Sequence, residues 1–150
     1  MVNNIRKISK FLFVFFIIIL SNCTSSKNST SSIVKFELEF GMGGGFTGSW
    51  NGYTIKNNGE YFSWTSRLLK KDSTYIGKIE NEHLNKLWDE IQRINFFSLN
   101  YKNPGNMTCS IEISSDKHKN YVAWDYSAKD STAIILSDFY KQLQKLCQNN

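Results

Sequence analysis

The sequence predicts an α+β domain: a two-layer arrangement in which an antiparallel sheet is covered on one face by two helices, in the order β-β-β-α-β-β-α. Three observations carry this. Two stretches, 34–40 and 107–113, alternate apolar with polar residues at the period of a half-buried strand. An Asn58-Gly59 pair between two further apolar runs marks a hairpin. Two later stretches, 79–94 and 131–147, change to the three- and four-residue spacing of amphipathic helices.

The elements follow in order. In the first strand, 33–40, Val34, Phe36, Leu38 and Phe40 alternate with Lys35, Glu37 and Glu39. The glycine-rich run 41–45 is expected to break it. Strands two and three, near 52–56 and 61–65, flank Asn58-Gly59, where a type I′ turn would need positive φ at both central residues. Residues 68–77 read as a basic, irregular connection. A helix is expected over 81–94, with Leu84, Leu87, Trp88, Ile91 and Ile94 on its inner stripe. Glu80 and Glu82 suit its positive end and Arg93 its negative end. Asn103-Pro104-Gly105-Asn106 is a turn by composition. Met107, Cys109, Ile111 and Ile113 then define strand four. A polar loop, 115–120, leads to strand five, 121–126. The closing helix carries Ile135, Leu136, Phe139, Tyr140, Leu143, Leu146 and Cys147 on one stripe. The sheet would keep one face for water and give the other to the helices.

Ahead of this domain, residues 1–10 carry Arg6, Lys7 and Lys10 and no acid, and 11–20 are ten consecutive apolar residues. A basic start followed by an apolar run of that length is a secretory signal, too short for a spanning helix, which needs about 20 apolar residues. The run ends in Leu20-Ser21-Asn22-Cys23, which resembles the lipobox of bacterial lipoproteins. The resemblance implies that residues 1–22 are removed, that Cys23 becomes diacylated on sulfur, and that its new amine is acylated too, commonly with palmitate. Residues 24–32 hold only Ser, Thr, Asn and Lys. They cannot bury a core and form a flexible tether reaching at most about 30 Å. The expected organisation is therefore signal 1–22, lipidated Cys23 with tether to residue 32, and one domain over 33–150. Thr24 after the cysteine lacks the acid that often retains lipoproteins at the inner membrane, which favours the outer membrane.

Charge and cysteines narrow the chemistry. The chain has 18 basic and 13 acidic residues, but three of the basic ones lie in the signal. The remainder is nearly balanced and has no basic cluster beyond Lys70-Lys71. No nucleic-acid footprint follows from this. Cys109 and Cys147 both fall on core faces. In an oxidising envelope they form either a disulfide or two buried thiols. Neither has the spacing of a metal or redox pair. His83 on the first helix and His118 between two lysines lack ligand or catalytic partners in the sequence. The glycine run lacks the Gly-Lys-Ser/Thr ending of a phosphate loop. No cofactor, metal or catalytic set is therefore expected, and the reading is non-enzymatic. The alternative is a small ligand-binding or hydrolase module, which would need a deep pocket with converging polar groups.

Gly43, Gly44, Gly45, Phe46 and Trp50 form the sharpest candidate site: an adaptable glycine loop beside two aromatic anchors. The order Gly43-Gly44-Gly45-Phe46-Thr47-Gly48, Tyr53-Thr54-Ile55, Asn58-Gly59, Leu87-Trp88 and Asn103-Pro104-Gly105-Asn106 resembles small bacterial lipoproteins. More distantly, the Gly-Gly-Phe-x-Gly start and the closing helix resemble emfourin-type inhibitors of protealysin-like metalloproteases. The resemblance implies a protein partner, either an envelope protein or a secreted metalloprotease.

Overall fold

The backbone pattern of residues 36–125 builds seven strands rather than five. The structure, a computed structural model, describes residues 35–68 and 70–148. The signal segment 1–22, Cys23, the tether 24–32 and the start of the first predicted strand lie outside the described residues. The strands are β1 (Phe36–Gly44), β2 (Ser49–Ile55), β3 (Glu60–Arg67), β4 (Lys70–Lys78), β5 (Lys102–Asn103), β6 (Met107–Ser115) and β7 (Lys119–Asp125). The helices are α1 (Asn81–Arg93) and α2 (Ser131–Gln148), with a 3-10 turn at Phe96–Ser98. One sheet holds the strands in the order β4-β3-β2-β1-β6-β7-β5. All neighbours are antiparallel except β5 and β7, so the sheet is mixed.

The class is α+β, but the predicted element order is corrected in three places. Four strands, not three, precede α1, because residues 70–78 are strand β4 and not an irregular connection. Alternation could not reveal β4: it is an edge strand with eight of its nine residues exposed, so no buried face imprints a period. β1 runs on through Gly44 instead of stopping at Gly41. The two-residue β5 sits where only a turn was expected. The Asn58-Gly59 hairpin forms, but not as a type I′ turn. Gly59 alone of that pair has positive φ, at 85°. It closes a three-residue loop in which its N–H donates to Lys56 O at 2.9 Å and Glu60 N–H donates to Asn58 Oδ1 at 3.0 Å. That is a type I turn followed by a left-handed glycine bulge.

Strand parity sorts the sheet into two faces. Phe36, Leu38 and Phe40 of β1, Ile55 and Tyr61, Ile111 and Ile113, and Val122 and Trp124 point one way and are buried. Both helices cover this face. Leu84, Leu87 and Ile91 come from α1, and Ala133, Leu136, Phe139, Tyr140, Leu143 and Cys147 from α2. Phe36 stacks on Trp88 at 5.4 Å between centroids, and Phe40 meets the edge of Tyr140 at 5.4 Å. Asp130 caps α2: its Oδ1 accepts from the Thr132 and Ala133 N–H groups at 3.1 Å. Asn95, at φ 51°, ends the α1 segment in the left-handed region. Asn120 then ties the 3-10 turn to β7 by donating to Phe96 O and Leu99 O at 2.7 and 2.8 Å.

Candidate functional site

The helix-free face is organised by glycines. Gly41 lies opposite Gly52, and Gly52 opposite Trp64. A Cβ on Gly41 or Gly52 would come within 2.7 or 2.8 Å of the Trp64 ring. One on Gly43 would come within 2.3 Å of the Trp50 ring. Two indoles therefore lie flat on a floor of bare backbone. Over the first sits an ion pair. Lys71 Nζ lies 4.5 Å from the Trp64 ring centroid and 2.6 Å from Glu39 Oε2. Thr54 Oγ1 donates to the same carboxylate oxygen at 3.1 Å. This lid leaves Trp64 only 7% exposed, with an Nε1 that finds no acceptor among the described residues. The cation–π contact and the ion pair together hold the lid in place, with Lys71 and Glu39 themselves partly open to water.

Against this geometry the candidate loop divides. Gly43 and Gly44 belong to β1, and Gly45 begins the turn. Phe46 stands at the turn tip with its side chain fully in water. Trp50 is on β2, laid over Gly43 and half-buried, so it does not join Phe46 in one patch. The sequence signal for the indole floor was the alternate spacing of Gly41 and Gly43 with Gly52 across the hairpin; it was obscured by reading the glycines as a turn.

The same end of the sheet carries more. The register pairs Gly44 with both Ser49 and Met107, Arg67 with Lys70, and Thr108 with Asp125. The β1–β2 turn, the β3–β4 turn, the start of β6 and the end of β7 therefore lie at one end. Phe46, Leu68, Met107 and Tyr126 are all exposed there. Sequence reasoning missed Leu68 because it assigned that stretch to a connection. A hollow of about 360 Å³ adjoins this end, lined by Trp50 together with Asn51, Thr65, Arg67, Lys70 and Asp72 among others.

Chemistry-bearing residues elsewhere are dispersed. His83 lines a small groove of about 220 Å³ between α1 and α2, with Leu87, Leu143 and Leu146. His118 packs its ring against Phe97 at 5.4 Å. No group of three His, Cys, Asp or Glu side chains among the described residues is placed to hold a metal. The Ser127 hydroxyl and N–H hold the Asp125 carboxyl below its usual range. Hydrogen bonds from Tyr101 and the α2 backbone do the same for Asp130. Both carboxyls thus serve as ionised acceptors, the reverse of the raised pKa that prepares a general acid. No helix among the described residues is long and apolar enough to cross a membrane.

Cys109 and Cys147 are both buried, and both are free. The alternative of a disulfide is not realised. Cys109 on β6 lies between Met42 and Trp124 under Tyr140, while Cys147 is seven residues further along α2 than Tyr140, beside Tyr61. Seven helical residues advance about 10 Å, beyond the reach of a disulfide. Burial pushes the Cys109 thiol up to about 11, with Asp125 adding to the effect, and the Cys147 thiol up to about 12. Both should resist a thiol reagent at pH 8 in the folded state and react fully in denaturant. A raised folded pKa gives stability that is intact below the unfolded value near 9 and is lost as pH rises through 11 to 12. A denaturation series from pH 8 to 12 should show stability falling from about pH 9.

No family model matches the chain, and comparison with curated proteins finds no match.

Proposed function

We propose that the chain is a membrane-anchored lipoprotein of the bacterial envelope, at the outer membrane, that acts by binding a protein rather than by catalysis. The anchor is the lipid on Cys23, after a basic and apolar signal that ends in Leu20-Ser21-Asn22-Cys23. The binding reading rests on strand β4. Among the described residues, its nine residues leave one backbone edge unpaired, whereas the opposite sheet edge is the two-residue β5. Such an edge accepts an added strand, with main-chain hydrogen bonds for affinity and side chains for specificity. Self-pairing is disfavoured. Two copies meeting antiparallel about Thr74 would set Lys70 against Lys78, and like charges placed opposite each other destabilise a ladder. The irregularity between Tyr61 and Phe62, where β4 carries Ile76 unpaired, also bends the edge. Lys70 and Lys78 instead suit an extended acidic segment of another protein; Lys71 is held by Glu39, and the Lys70–Asp72 pair is exposed and weak.

Two measurements test this. Mass spectrometry of the protein from membranes should find a mature chain beginning at an acylated Cys23; an unmodified thiol or an uncut start would refute the anchor. Titration with an extended peptide of alternating Glu and Val should give saturable binding, lost in the Lys70→Glu/Lys78→Glu variant, while a Lys/Val peptide should not bind. A sharper form of the same reading is the emfourin type, because a protease cleft also engages extended backbone. Inhibition of a thermolysin-like metalloprotease would assign it.

A further inference from the structure

Two features of the sheet end are unfavourable for a free domain. Phe46 is fully exposed at the β1–β2 tip and Leu68 is 88% exposed at the β3–β4 tip. Leu68 also sits at φ 49°, in the left-handed region that glycine or asparagine occupies more easily. A turn selected only for its backbone would not combine a leucine with that conformation and then leave it in water. Leu68 lies between Arg67, which ends β3, and Lys70, which begins β4, and the neighbouring tip is Gly45-Phe46-Thr47-Gly48. The tips carry Arg67, Lys70 and Lys71; Lys71 is held by Glu39 at 2.6 Å, while Lys70 meets Asp72 at 3.4 Å in a pair that is open to water. Met107, whose sulfur lies against Gly45, and Tyr126 extend the apolar exposure along the same end.

We propose that this end of the sheet docks onto the surface of an anionic lipid bilayer, with Phe46 and Leu68 entering the interfacial layer and Arg67 and Lys70 among the headgroups. Phe46 and Leu68 stand on the tips of separate hairpins and are each almost wholly exposed, so each meets a partner as a single side chain rather than within the continuous patch of about 800 Å² per partner that a stable protein interface uses. Protruding apolar side chains flanked by cations fit a plane of lipid headgroups. The chain outside the described residues allows this orientation. β1 begins at Phe36, at the far end of the sheet, and its nine residues place the tips about 27 Å away. The twelve steps from Cys23 to Lys35 reach about 40 Å when extended, enough for a lipid on Cys23 and the tips to share one bilayer. The orientation rests on the lipoprotein reading; the docking itself does not.

The test separates the two. The chain from Thr24 onward, without acyl groups, keeps every core residue, since all of them lie between Phe36 and Cys147. It should co-sediment with vesicles of phosphatidylglycerol and phosphatidylethanolamine, and much less with pure phosphatidylcholine. The Phe46→Ser/Leu68→Ser variant should lose at least tenfold in vesicle partitioning with unchanged circular dichroism. A fluorophore on Phe46→Cys should shift to the blue and be quenched by brominated lipid. A label that stays in water with vesicles present, or a double variant that partitions like the parent, overturns the docking. So does a label that is shielded by an envelope protein fraction and not by lipid. Vesicle binding by a chain whose Cys23 proves unmodified in cells would retain the docking and refute only the anchor.

Discussion

Replacing Gly52 by alanine is expected to cost the domain about 3 kcal/mol, the upper part of the usual overpacking range, and to lower its melting temperature by roughly 10 °C. The cause is contact, not backbone freedom, since Gly52 is not at positive φ. A single methyl there would lie 2.0 Å from Phe40 O, 2.6 Å from Gly41 Cα and 2.8 Å from Trp64 Cζ2. Two of those atoms are backbone of the adjacent strand, so relief requires β1 and β2 to part at the centre of the sheet. The third is an indole held under the Lys71–Glu39 pair. Gly48 is the control. It has φ 59° with nothing within 4 Å of a would-be Cβ, so Gly48→Ala should cost only about 1 kcal/mol for its left-handed conformation. Thermal melts of the two variants check this directly. Adding Trp64→Ala to Gly52→Ala should not restore stability, because the clash with Phe40 O remains. Recovery would show that the indole alone needs the glycine.

The same glycines show why part of the fold could be read in the sequence and part could not. Wherever one face of an element is buried, its period was visible. Phe36, Leu38 and Phe40, then Cys109, Ile111 and Ile113, and Leu136, Phe139, Tyr140, Leu143 and Cys147 lie in the core as their spacing implies, with Leu146 partly buried at its edge; Met107 and Ile135, expected on the same faces, are exposed. β4 had no such face. Gly41 and Gly43 carried a strand signal that composition reads as a turn, because the side chains filling their space, Trp64 and Trp50, come from other strands. The candidate loop was legible as far as Phe46, which composition alone puts at a tip. Its neighbour Leu68 was not, since the two tips meet only through the register of β1, β2 and β3. Local sequence reports local geometry, and both the indole floor and the apolar end are products of strand pairing.

Trp124→Ala should be the most damaging of the core truncations, at about 4 kcal/mol. Trp124 is the largest fully buried side chain. It pairs across the ladder with Cys109, meets the edge of Tyr140 at 5.9 Å, and donates from Nε1 to Ser137 Oγ at 3.0 Å. Among the described residues the sheet beyond β7 has only the two residues of β5, so β7 is held by its ladder with β6 and by the packing of α2 on Trp124. A domain of this size has about 5–15 kcal/mol in total, and the loss would leave the folded state marginal. In urea the midpoint should fall steeply while the slope stays constant. Hydrogen exchange should quicken first along β7, ahead of β1 at the sheet centre. Trp124→Phe should cost only about 1–2 kcal/mol. It keeps an aromatic ring against Tyr140 and leaves a hydroxyl that, on the partly exposed Ser137, can turn to water. Equal costs for the two variants would mean that the hydrogen bond to α2, and not the packed ring, secures this side of the sheet.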